Sequence, residues 1–198
     1  MNPVTLVIGF VPLVLFTLLD GRIPVADAAA IGAAAAVVVA AVMARRGVPV
    51  LPIVQAITLA IISAIAFAGD AATQSFLTGY GRGIASLVLA AFMLITVPFA
   101  PFTAAIARAG VPRELWKSQR FLDLNRRISG AWGVAVLVLG LTHLASAAVG
   151  DSLPPFRAFL LAWGLPIVAV IVALRYTQRT IAEARPGPAG APQSPRGY

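Results

Sequence analysis

The sequence predicts an all-α polytopic membrane protein: six transmembrane helices, both termini on the cytoplasmic side. Three observations predict it. Sixty per cent of the 198 residues are hydrophobic and 11% are charged, whereas a soluble domain carries about 25% charged residues. Six apolar stretches lie near the roughly 20 residues that cross a bilayer. The basic residues segregate to alternate loops, as they do in membrane proteins. A mean hydropathy of +0.92 leaves too little polar surface to coat a water-soluble globule.

The first stretch runs from Pro3 to Leu19 and closes at the turn signal Asp20-Gly21-Arg22. Ala26-Asp27-Ala28 has the small-x-small form of a signal-peptidase site. The apolar region before it is too long and lacks a basic start, so the first stretch is read as a retained helix. The second stretch, Ile23 to Ala44, ends at Arg45-Arg46-Gly47, and the third runs from Val48 to Gly69. Asp70 to Tyr80 reads as a polar loop, with the glycine run Gly79 to Gly83 as a flexible entry to the fourth stretch, Gly81 to Ile106. Pro98 and Pro101 should kink or end that helix. The fifth stretch covers Gly130 to Val149, and the sixth covers Pro155 to about Tyr176. Phe121, Leu124, Ile128 and Trp132 share one helical face, so the fifth helix should begin near Gln119. Residues 1–184 thus form one six-helix domain with an amphipathic cytoplasmic loop, 108–129. The Pro/Gly-rich run 185–198 reads as a disordered cytoplasmic tail.

With six spans, one side holds Arg45, Arg46, Arg108, Arg113, Lys117, Arg120, Arg126, Arg127, Arg175, Arg179, Arg185 and Arg196. The other holds only Arg22, Arg82 and Arg157, which completes the 15 Lys and Arg residues of the chain. This split puts both ends inside. The net charge of +8 is therefore a matter of topology, and no nucleic-acid partner is expected. There is no Cys and a single His, which excludes disulfides, thiolate chemistry and multi-His metal sites. No HExxH, paired-Asp or Ser/His constellation is present, so neither an enzyme nor a cofactor is expected.

Four polar residues are candidates for function: Asp27, Arg82, His143 and Arg157. A carboxylate in a membrane helix marks a proton or cation site, yet Asp27 also suits the first turn of the second helix, with Pro24 at its start. Each outer loop carries one carboxylate and then one arginine: Asp20 and Arg22, Asp70 and Arg82, Asp151 and Arg157. Such arginines can snorkel to headgroups, or Arg82 and Arg157 can together hold an anion. His143 can bond a neighbouring helix or relay protons. On the cytoplasmic side, Arg113, Trp116, Lys117, Arg120, Arg126 and Arg127 form a candidate surface for a partner protein or for anionic headgroups, worth about 1 kcal/mol per cation.

Several residues carry a resemblance. Gly9 to Phe16 gives an apolar-Pro-Leu-apolar run, Arg82 opens the fourth helix and Pro101 closes it. Val111-Pro112 with Trp116, Ala131-Trp132-Gly133-Val134, Gly140-Leu141-Thr142-His143 and Phe156-Arg157-Ala158-Phe159 follow in order. In this order of features the chain resembles the intracellular septation protein A family of bacterial inner-membrane proteins, whose members usually carry Asn at the position of His143. The run Asn125-Arg126-Arg127-Ile128-Ser129-Gly130-Ala131-Trp132-Gly133 is also similar to a stretch in related six-helix bacterial membrane proteins. The resemblance implies a non-enzymatic inner-membrane protein of cell-envelope maintenance and septation, acting through membrane-protein partners, lipids or self-association. The competing expectation is a small solute or ion transporter with a polar pathway near Asp27, Arg82, His143 and Arg157.

Overall fold

A computed structural model of the chain describes residues 3–45 and 47–184, and the side chains of residues 3–5 and 151 stand outside that description. The predicted tail, 185–198, and Arg46 also lie outside it. The described residues are nearly all helical and contain no strand: α1 (Pro3–Ile8), α2 (Val11–Leu19), α3 (Val25–Ala44), α4 (Val50–Ala68), α5 (Ala71–Thr96), α6 (Phe102–Ala107), α7 (Gln119–Val149), α8 (Pro155–Phe159) and α9 (Leu165–Glu183). A π-turn, Leu160–Gly164, joins α8 to α9. Five helices are long and apolar enough to cross a membrane: α3, α4, α5, α7 and the α8–α9 unit. The protein is a helical membrane protein.

Three boundaries differ from the sequence expectation. The first stretch is broken at Gly9-Phe10, where Pro12 in the first turn of α2 has no N–H to continue the helix of α1. The expected polar loop from Asp70 to Tyr80 is instead the start of α5. Asp70 caps it, accepting hydrogen bonds from the Thr73 N–H at 2.8 Å and the Thr73 hydroxyl at 2.7 Å. Polar side chains tolerate helix where they are exposed, so the loss of hydropathy marked the membrane boundary rather than the helix boundary. At its other end α5 stops at Thr96, and Pro98 and Pro101 separate it from α6, as expected of prolines. Finally, the last helix runs on to Glu183, beyond the expected Tyr176. The fifth helix does begin at Gln119, capped by Ser118.

The bundle core is built by close helix approach. Gly83 faces Leu144, Leu87 faces Gly140, and Leu94 faces Gly133. Going down α5 as one goes up α7, the three pairs keep one register, so these helices run antiparallel with a leucine seated on a glycine at each step. Between α2, α3 and α4, a Cβ at Gly32 would lie 2.9 Å from Leu59 Cδ1 and 3.2 Å from Phe16 Cβ. In lipid, such small-residue contacts supply the packing that holds helices together. The short α6 packs against α1, α4 and α7, and α9 packs along α7.

Candidate functional site

One buried polar group lies where the α2–α3 turn meets α5 and α7. Gly81 of α5 leaves room for Phe16 and Val25, 3.6 and 3.9 Å from where its Cβ would stand. The next residue, Arg82, therefore faces the turn. Its Nε lies 3.0 Å from Asp20 Oδ2, and the Asp20 side chain is only 1% exposed. The pair is in ionic contact, without an aligned hydrogen bond to either Asp20 oxygen. On α7, His143 is 4% exposed and its Nδ1 has no hydrogen-bond partner. Leu144, next to His143, is seated on Gly83, next to Arg82, and the π-turn packs on α7. π-turns inside helices recur at functional sites because they displace backbone carbonyls from the regular ladder.

Of the four polar candidates, Arg82 and His143 thus share a neighbourhood, and Asp20 joins them. Asp27 does not: it is exposed in the first turn of α3 and makes no ion pair among the described residues. Arg157 is exposed on α8 and likewise has no carboxylate partner among the described residues. Asp20 and Asp70 do not form the local couples read from the loops: Asp20 makes a long-range pair with Arg82, while the Asp151 side chain lies outside the described residues. Asp70, the supposed partner of Arg82, is the cap of α5, and hydrogen bonds from Thr73 hold its carboxyl below the usual 3.8.

A second set of buried polar residues repairs broken backbone. Gln55 of α4 is 2% exposed. Its Nε2 donates to the Gly9 carbonyl at 2.7 Å and to the Leu51 carbonyl at 3.3 Å, and its Oε1 accepts from the Leu13 N–H at 3.0 Å. Helix ends leave such groups without partners, and within a membrane protein a neighbouring helix has to supply them. The Ser63 hydroxyl donates to the Ala26 carbonyl at 2.9 Å. At the α5–α6 elbow, the Thr103 N–H donates to the Ser129 hydroxyl at 3.2 Å, and the Thr103 hydroxyl donates to the Asn125 carbonyl at 3.0 Å. Arg126 donates to the Pro98 carbonyl at 2.9 Å. Trp132 donates from Nε1 to the Thr177 hydroxyl at 3.0 Å and stacks on Phe10 with ring centres 5.1 Å apart. The stretch Asn125 to Gly133 is therefore a clasp between the elbow, α9 and the first helix.

Sequence reasoning missed Gln55, Thr103 and Thr177. Gln55 had a usable signal, since it is the one amide in the apolar third stretch. Thr103 and Thr177 had none, because a threonine in a membrane helix ordinarily bonds its own preceding turn.

The candidate surface at the basic end divides in two. Arg120 and Arg126 are committed to carbonyls, Arg120 donating to Ala184 at 2.8 Å. Lys117 and Arg127 are exposed. Arg113 lies over the ring of Trp116 at 5.8 Å, and Arg108 lies over the same ring at 5.4 Å. Comparison with known protein families, with curated proteins and with solved structures finds no match to this chain.

Proposed function

We propose that the chain is a non-enzymatic, multi-pass protein of the bacterial inner membrane, of the cell-envelope and septation type, with six spans and both termini cytoplasmic. It acts through helix packing and through contacts with lipids or membrane-protein partners. The observation that supports this most is the use of its buried polar side chains. The side chains of Gln55, Ser63, Thr103, Ser129, Trp132 and Thr177 all bond neighbouring elements, which is the chemistry of a scaffold rather than of a pathway. The likeness of Asn125 to Gly133 to a stretch in related six-helix bacterial membrane proteins supports the membrane-scaffold part of this reading, because those residues form the clasp.

One observation favours the second reading, a small solute or ion transporter. Asp20, Arg82 and His143 are the described buried groups left incompletely bonded in one place, and intramembrane ionisable residues usually serve transport. Asp20 takes the place of Asp27 and Arg157 in that pathway. The two readings separate in His143→Asn, scored for thermal stability in detergent and for rescue of cell length and envelope integrity in a deletion strain. Asn keeps a donor and an acceptor but does not titrate near neutral pH. A stable variant that rescues supports the scaffold. A stable variant that fails to rescue overturns it in favour of transport.

A further inference from the structure

We propose that Arg108, Arg113 and Trp116 form a clamp for the phosphate of an anionic phospholipid headgroup. Between α6 and α7 the chain makes two tight turns, Arg108–Gly110 and Arg113–Leu115. Pro112 leads into the second turn, and the Trp116 Nε1 donates to the Val111 carbonyl at 2.8 Å. The indole is thereby fixed against the link between the turns, and each turn places one guanidinium over it, at 5.4 and 5.8 Å. Neither guanidinium makes an ion pair among the described residues, and Glu114 between them pairs with neither.

Two like charges thus share one indole ring, and neither has a counter-charge among the described residues. Their neighbours Arg120 and Arg126 show the contrast, since both donate to backbone carbonyls. An oxyanion between the two guanidiniums would take up both forks, and phosphate fits that geometry. A lipid and a free phosphate share this chemistry. The lipid is favoured because the clamp sits where α7 and α6 leave the bundle, beside Leu115, which is 50% exposed, and tryptophan concentrates at that interface. The clamp deepens the lipid-contact part of the proposed function, and its test does not depend on whether the chain serves the envelope or transport.

The test uses the full chain, delipidated in a neutral detergent, titrated with phosphatidylglycerol and phosphatidylcholine and read by native mass spectrometry. Two headgroup-level cations are together worth about 30-fold in affinity. Wild type should therefore prefer phosphatidylglycerol by at least about tenfold. Arg108→Gln with Arg113→Gln should bring the two lipids close to parity. Arg175→Gln with Arg179→Gln removes the same charge from exposed positions outside the candidate surface and should leave the preference within about twofold. Arg108→Lys with Arg113→Lys, which keeps charge and fold but loses the forks, should fall between. Equal loss in both glutamine pairs, or no preference in wild type, would overturn the clamp. Displacement of phosphatidylglycerol by millimolar inorganic phosphate would overturn its assignment to lipid.

Discussion

Asp20 and Arg82 carry the largest single electrostatic consequence in the bundle. Removing one member of a buried pair leaves a charge uncompensated, at a cost of about 3–5 kcal/mol, whereas removing both can be nearly neutral. Because Arg82 keeps 22% of its side chain exposed, its loss of partner is partly screened and should fall at the low end. Asp20→Asn and Arg82→Gln should each lower the melting temperature in detergent, and the double variant should recover most of the loss. Additive losses would mean that the two side chains do not interact. Under the scaffold reading, His143→Leu should cost about 0.6–2 kcal/mol, the size of an interhelical hydrogen bond in a membrane. At Asp70 the effect depends on pH. Its native carboxyl titrates below 3.8 because the Thr73 N–H and hydroxyl bond the charged form. The cap is therefore complete above the unfolded-state value and is lost as pH falls through the native one. Below about pH 4, amide exchange at Thr73 and Gln74, corrected for intrinsic rates, should quicken in wild type; in Asp70→Ala it should be quick at all pH values. Arg82 and His143 were legible as functional candidates because charged and titratable groups are rare in apolar stretches. Asp20 was not, since beside Gly21 it has the form of an ordinary turn residue and its partner lies 62 positions along the chain.

Helix breaks and helix contacts were legible unequally. Pro98 and Pro101 announce the α5–α6 elbow, while the α1–α2 break needs both Pro12 and the distant amide of Gln55 to be seen. That amide bonds Gly9 and Leu13 across the break. Gln55→Leu should leave a buried carbonyl and a buried N–H unpaired, at about 1–3 kcal/mol each, and should destabilise the protein more than Ser63→Ala, which removes one bond. Equal losses would show that the break needs no bridge. The leucine-on-glycine register of α5 and α7 could not be read from either helix alone, because a glycine in an apolar helix has no visible partner until the two are paired. A Cβ at Gly140 would stand 2.6 Å from Leu87 Cδ2 and 3.1 Å from the Leu87 nitrogen. Gly140→Ala should therefore cost about 1–3 kcal/mol by overpacking. Leu87→Ala in the same chain should relieve the clash at the side chain but not at the backbone, so rescue in thermal melts should be partial.

At the scale of the whole molecule, the membrane class was legible from hydropathy, since 60% apolar residues leave no water-soluble alternative. The span count is harder, because it turns on α1 and α2. At about 1.5 Å per residue they are short for a hydrocarbon core of about 30 Å. Their contacts nevertheless reach both ends of the bundle: α1 packs on α6 beside the α5–α7 connection, and α2 ends at Asp20 against Arg82. A chain that contacts both ends while running in one direction has the reach of a sixth span. The absence of cysteine makes the topology directly testable with single-cysteine variants and an impermeant maleimide on intact cells. Gln74→Cys in the first turn of α5 and Ser152→Cys in the α7–α8 connection, both exposed and opposite the basic end, should label from outside. Lys117→Cys and Gln178→Cys, exposed at the basic end, should label only after lysis if the proposed topology, which puts the Lys- and Arg-rich end in the cytoplasm, holds. Asn2→Cys decides the count. Protection in intact cells, with labelling after lysis, requires the first segment to cross and gives six spans. Labelling from outside would leave α1 and α2 as a segment that enters without crossing, reduce the count to five, and make Gln55 the residue that holds a re-entrant turn in place.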